Sequence, residues 1–290
     1  FEMKIPSNDI PSDGLVLLLD NISLGESLGS TAKFPRNAIA FKWIDERRIT
    51  KLKYIEWSPS RTGLINPVAV FEPVELEGTT VSRASLHNVS IFEELKLGIG
   101  DEISVYKANM IIPQVYENLT KSNTEKIPKN CPACKSEALI KQDKESKVLM
   151  CINPDCQIKH LKQYALMASR DALNIEGLSE STLEKFLSKG FIKNAADIFK
   201  LAKYRDEIVA MEGFGEKSYE KLIAALDVAR HTTVAGLLYS LGITGIGSAN
   251  AKMISKYFGN DIDKIINYDE TKIKELQNNE GIIRNKLKIK

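Results

Sequence analysis

The sequence predicts a multidomain α+β protein: a small closed β-barrel of the OB-fold type, a four-cysteine zinc finger, and an all-α helix-hairpin-helix array. Three observations predict it. Residues 47 to about 118 read as alternating or apolar runs between Gly, Pro and Asn turns, with one helix-like interruption. All four cysteines fall between positions 131 and 156. From about 160 onward apolar residues recur every three or four positions, and a Gly-x-Gly unit returns along the tail.

At 290 residues the chain should hold more than one domain. Its 43% hydrophobic and 27% charged residues are those of an ordinary globular protein. No run approaches 18 apolar residues, so no membrane span is expected. The start, FEMKIPSNDIPSDG, lacks the charged and apolar regions of a signal peptide and does not open on Met. We therefore expect a piece of a longer, cytoplasmic protein whose cysteines stay reduced. The net charge of +2 points to no partner class by itself. Between Lys121 and Lys162, however, nine lysines face five acids, a mild positive bias that a solvated surface would also explain.

The first zone, residues 1 to 46, carries short β-like runs at Leu15 to Leu19 and Ala38 to Trp43, joined by a Gly/Ser-rich link. The second, 47 to 118, holds KLKYIEW, NPVAVFEPVEL, ISVYKA and IIPQVYE, with the helix-like SIFEELKLG stopping at Gly98. About five strands and one short helix in so few residues suggest an OB-fold.

The third zone, 119 to 158, contains Cys131-x2-Cys134, sixteen residues, and Cys151-x4-Cys156. Two close pairs on a loop-rich segment give the thiolate set that tetrahedral Zn²⁺ takes. The intervening Lys135 to Met150 is too polar to build a core, and a metal would supply the missing folding energy. Free thiols or two disulfides are the alternatives, and His160 could replace one ligand. Four closed ligands leave no open position, so the site reads as structural.

The fourth zone, 159 to 290, repeats itself. MEGFGEKSYEKLIAAL and ITGIGSANAKMISKYF align Gly213 and Gly215 over Gly245 and Gly247, a period of 32. IEGLSESTLEKFLSKG is a weaker copy with Ser179 at the second glycine, and NEGIIRNKLKIK a fourth with Ile283 there. A glycine bend followed by a helix start offers free amides and the positive end of the helix dipole, a seat for a nucleic-acid phosphate. Lys217 and Lys252 sit where they could reach neighbouring phosphates. An ordinary interhelical turn is the plainer alternative for any one copy.

Longer motifs narrow the function. LGSTAKFPRNAIAFKW, SRTGLINPVAVFEPVELEGTTVSRASLHN and LGIGDEISVYKANMIIPQV, followed by the cysteines and the hairpins, together resemble the bacterial NAD⁺-dependent DNA ligases. The resemblance covers nearly the whole chain. It implies a nick-sealing enzyme of replication and repair that works through adenylyl-enzyme and adenylyl-DNA intermediates. NAD⁺ is the implied AMP donor, Zn²⁺ the structural metal and Mg²⁺ the catalytic ion. The implied partner is nicked double-stranded DNA, bound by a cytoplasmic, nucleoid-associated monomer. The family's nucleophile lies in a Lys-x-Asp-Gly motif that does not occur in these 290 residues, so the isolated chain should not self-adenylate. A non-catalytic duplex-DNA-binding module with a structural zinc is the alternative.

By that resemblance Asp13 belongs to the catalytic pocket. Lys42 is a catalytic cation that contacts the nucleotide phosphate, and Arg36 is a second nucleotide-side cation. The family places a phosphate-contacting lysine where this chain has Leu18, and a leucine cannot stabilise negative charge. Arg61, in Arg-Thr-Gly, is expected at the DNA backbone near the nick. Arg83 and Lys107 are expected at the backbone as well.

Overall fold

A computed structural model describes residues 14–31, 34–42, 45–143 and 145–268. Asp13 and the fourth repeat, NEGIIRNKLKIK, lie outside them. The chain divides into two compact units. The first takes in the described residues of Phe1–Ser58, Ile65–Pro128 and Ile140–Leu149; the second takes in those of Pro59–Leu64, Lys129–Leu139 and Met150–Lys290.

The first unit opens with an antiparallel ribbon, β1 (Gly14–Leu18) against β2 (Ala38–Lys42), registered from Gly14 opposite Lys42 to Leu18 opposite Ala38. Helix α1 (Ile22–Ser27) lies between them, its first turn capped by the Asn21 side chain. Val16, Leu17 and Leu18 on this ribbon are exposed.

Five strands then close a barrel: β3 (Arg47–Pro59), β4 (Leu64–Leu76), β5 (Thr79–Ser85), β6 (Glu102–Ala108) and β7 (Ile112–Asn118). Their order is β3-β6-β7-β5-β4, with β4 returning to β3, and β5 pairs parallel with β7. That circuit is OB-fold topology. Alternation along β3 turns Thr50 and Leu52 inward. Phe71, Ala69, Ile103 and Val105 complete a core that water does not reach. Strand β5, TTVSRAS, has too few apolar residues to announce itself, and Glu77-Gly78 before it is the stronger signal.

Helix α2 (Val89–Leu95) follows β5, capped by Asn88 accepting from Ile91 N–H at 3.0 Å. It packs Phe92 edge-on against Trp57, with ring centroids 5.2 Å apart. It stops three residues before Gly98, at Leu95, because Lys96 turns left-handed with φ 48°. The buried Asn118 amide holds that end. It donates to the carbonyls of Leu95 and Lys96 at 3.0 Å each and to Asp101 Oδ2 at 2.7 Å. Burial opposes charge on Asp101, but hydrogen bonds from Ser122 and Asn118 outweigh it and hold the carboxyl below its usual range.

Strand β4 also pairs with β9 (Ser146–Cys151), which pairs with β8 (Ala138–Asp143), so the polar segment between the cysteine pairs is a hairpin. Leu149 is its buried anchor.

The second unit is helical: α3 (Gln157–Ala168), α4 (Glu180–Ser188), a 3-10 helix (Ala195–Tyr204), α5 (Arg205–Val209), α6 (Glu216–Ala229), α7 (Val234–Ser240), α8 (Ser248–Tyr257) and α9 (Ile262–Ile266). Leu161 and Tyr164 point into one core with Leu183, Phe186, Ile198, Leu201, Ile208 and Leu222, the last six almost wholly buried. Among the described residues no helix is long and apolar enough to cross a membrane.

Replacing Asn118 by Ala leaves two helix-end carbonyls and a buried carboxylate short of a donor. We expect a loss of about 2–3 kcal/mol, measurable as a lower midpoint in urea unfolding. Asp101 is depressed by these bonds. Its stabilising share is therefore present above the ordinary carboxyl range and lost as pH falls through the folded value, so the Asn118→Ala penalty should shrink in acid.

Candidate metal centre and nucleic-acid interface

The second unit brings the four cysteines together. Their Sγ atoms all lie within 4.8 Å of one another, and Cys134 and Cys151 are in hydrogen-bond contact at 3.6 Å, with no disulfide between them. A tetrahedron of thiolates about Zn²⁺ has edges of about 3.8 Å, given Zn–S of about 2.3 Å. The backbone builds this pocket locally. Cys131 carbonyl accepts from Lys135 N–H at 3.0 Å, and its own N–H donates to Ser136 carbonyl at 2.8 Å, which curls the first pair into a knuckle. Cys156 is the N-cap of α3 but makes no side-chain cap bond, so its sulfur is left for the cluster at the positive end of the helix.

The thiols differ in character. The Ser136 hydroxyl, helped by its backbone N–H and by Asn153, pulls Cys134 down to about 6. Burial pushes Cys151 up to about 12, and it raises Cys156 as well. A buried thiol that resists ionisation among three others becomes a good ligand only when a cation compensates the charge. The donor set therefore fits a divalent metal. Lys159 adds a positive group, donating to Asn153 carbonyl at 2.8 Å beside the cluster. Ser136, Asn153 and Lys159 escaped the sequence reading; the Asn-Pro-Asp turn before Cys156 was the signal available.

Three hairpins differ at their helix starts. At α4 the Ser179 hydroxyl accepts from Thr182 N–H at 3.2 Å, so this copy caps itself. At α6 and α8 the N-caps are Gly215 and Gly247, with no side-chain cap. Gly213 and Gly245 hold φ of 84° and 86°, the region that favours glycine, and a Cβ at Gly245, Gly215 or Gly247 would meet nothing within 4 Å. The space in front of these bends is open. Glu216 stands in the first turn of α6 and is drawn off by Arg205, at 2.7 and 2.9 Å, whereas α8 has no acid in its first turn. The α8 start is thus the more favourable anion seat of the two. Lys217 and Lys252 are exposed, Lys252 one turn further along its helix than Lys217. Lys185, overlooked in the sequence, reaches the second bend and donates to Glu212 carbonyl at 3.0 Å.

The remaining candidates are scattered. Lys42, at the end of β2, donates to Asn109 Oδ1 in the β6–β7 turn. Arg36 is exposed, its backbone N–H donating to Gly29 carbonyl at 3.0 Å. Leu18 is exposed on β1. Arg83 pairs with Glu56 at 2.8 Å, and Lys107 is buried on Thr79 Oγ1 at 2.6 Å. Arg61 is half-buried and donates to Gly242 carbonyl.

Removing one sulfur, as in Cys131→Ser, should abolish stoichiometric zinc, read by a metal-sensitive dye on the denatured protein. In the unchanged chain, chelator should strip the metal faster at pH 6 than at pH 8. Protons compete for the thiolates, and burial has raised Cys151 to about 12.

Comparison with known proteins agrees with this architecture. Residues 49–127 match the NAD-dependent DNA ligase OB-fold domain, and residues 169–227 match a SAM-like helix-hairpin-helix tandem. A DNA ligase of Ruminiclostridium cellulolyticum is 60% identical over 267 residues, and one of Lachnoclostridium phytofermentans is 59% identical over the same length. Each alignment covers 92% of this chain and 41% of the relative, so the chain spans about two fifths of the proteins it matches. With its barrel, cysteine cluster and hairpins in this order, the chain matches the carboxyl-terminal part of a bacterial NAD-dependent DNA ligase.

Proposed function

We propose that the chain is part of an NAD⁺-dependent DNA ligase that seals 5′-phosphate/3′-hydroxyl nicks in duplex DNA during replication and repair. The observation that carries this is the pairing, in one chain, of a ligase-type barrel with two uncapped, glycine-lined helix starts open to solvent. In the reaction a lysine attacks the α-phosphate of NAD⁺ and nicotinamide mononucleotide leaves. The AMP passes to the 5′-phosphate of the nick, and the 3′-hydroxyl displaces it. That lysine's motif is not in these 290 residues. The chain would instead supply groups that handle nucleotide and DNA.

On this reading Lys42 and Arg36 are cations for the nucleotide phosphates, and Asp13 orients the reacting groups. Lys42 would exchange its Asn109 partner for phosphate and stabilise charge in both transfers. Mg²⁺ would join when the enzyme is complete. Arg83, Lys107, Lys217 and Lys252, with Gly213, Gly215, Gly245 and Gly247, would serve the DNA side through phosphates and without base readout, and Arg61 would serve it from the end of α7 that it holds. The four cysteines would hold Zn²⁺ as a brace. The working division is 1–46 for the end of the nucleotidyltransferase domain, 47–118 for the barrel, 119–158 for the zinc finger and 159–290 for the hairpins. The whole would be a monomer in the cytoplasm, at the nucleoid.

A second reading concerns these 290 residues by themselves: without a Lys-x-Asp-Gly among them, they would act as a duplex-binding module without catalysis. The two separate when the chain is mixed with an independently made amino-terminal half that carries the lysine. The ligase reading expects a nicked duplex to be sealed by the mixture and by neither part alone. Duplex binding without sealing by an adenylated mixture would favour the second reading. For the interface itself, Gly245→Val places a branched side chain at φ 86° and fills the open bend; duplex affinity should fall at least about tenfold in a titration at low salt.

A further inference from the structure

We infer that Arg61 and Gln163 are positioning residues for the third hairpin, clamping the carboxyl end of α7 and so fixing the bend at Gly245 and Gly247. The inference rests on the reading of the hairpins as duplex-binding loops.

Three successive carbonyls at the end of α7 are held by these two side chains. The Gln163 amide donates to Ser240 carbonyl at 3.0 Å and to Leu241 carbonyl at 2.9 Å. Arg61 Nη1 donates to the next carbonyl, Gly242, and lies 3.4 Å from Gln163 Oε1. A helix leaves its last carbonyls unpaired, and the negative end of its dipole favours a cation. The guanidinium and the amide answer both needs. Gly242 makes the close approach possible, since a Cβ there would stand 2.5 Å from Arg61 Nη1 and from Gln163 Oε1. Gly245 follows three residues later, which leaves little slack between clamp and bend.

Both clamp residues are themselves fixed to the cysteine cluster. The turn that carries Arg61 closes through Gly63 N–H on Ser60 carbonyl at 3.0 Å, and Gly63 carbonyl accepts from Cys151 N–H at 2.8 Å. Helix α3, which carries Gln163, starts on Cys156. The metal site therefore sets the clamp, and the clamp sets the hairpin. A guanidinium kept for direct phosphate contact would not be expected half-buried with its donors on a helix end.

The test compares duplex binding across a salt series for the zinc-loaded 290-residue chain and its variants Gln163→Met, Arg61→Met, Arg61→Lys and the double methionine variant, with Gly247→Asp as the hairpin control. Gln163→Met removes no charge. We expect it to weaken binding about tenfold with an unchanged salt slope, the loss that one or two hydrogen bonds to backbone carbonyls would give. Arg61→Met should lose a similar factor, the double variant should be no worse than the poorer single one, and Arg61→Lys should recover part of the loss. Amide hydrogen exchange should quicken at residues 243–250 in the methionine variants while zinc content stays at one per chain. Wild-type affinity for Gln163→Met overturns the inference. If Arg61→Met then loses affinity together with about 0.9 of salt slope, Arg61 meets a phosphate directly. Should Gly247→Asp bind as tightly as the unchanged chain, the hairpin reading itself fails, which is a different result from failure of the clamp alone.

Discussion

Four sulfur atoms crowded into one buried pocket are the constraint on which the second unit depends. Left without a cation they are costly in any ionised form, because burial and mutual repulsion act together. The pocket exists because the knuckle at Cys131, the end of β9 and the start of α3 converge, and the last two also hold something else. Cys151 N–H holds the turn of residues 59–64, and Cys156 begins the helix whose side chains meet the end of α7. A metal bound there would stabilise local geometry well beyond its own ligands, which is how a small closed site can serve a chain segment too polar to build a core.

The hairpins show how one loop design is tuned by single residues. All three bends carry a left-handed glycine, yet the first helix start is satisfied by its own serine and the second bears a glutamate held by an arginine. The third is bare of both. Charge and capping thus grade the three from closed to open, although each bend turns on a glycine of nearly the same φ.

Much of this was legible in the sequence, for identifiable reasons. Cysteine spacing specifies a tetrahedral ligand set, and a glycine repeat with a fixed period specifies stacked hairpins; both are local signals. The barrel was legible as strands and turns, but β5 was not, because TTVSRAS packs only Val81 and Ala84 inward and otherwise looks like a loop. Partners distant in sequence were invisible. Nothing in the residues about Arg61 announces Gly242, 181 positions away, and nothing about Lys107 announces that it is buried on Thr79. Such pairings are properties of tertiary packing, and they decide whether a cation faces a ligand or its own protein.

The two units interleave along the chain, which passes from one to the other after residues 58, 64, 128, 139 and 149. No single backbone cut can therefore release either one intact. A shortened gene ending beyond the barrel would strip it of the 140–149 hairpin, and one beginning at the cysteines would lack the 59–64 turn. Dissection of this protein into separately folding parts, or exchange of its parts with another protein by recombination, must move these short excursions along with the long segments they complete.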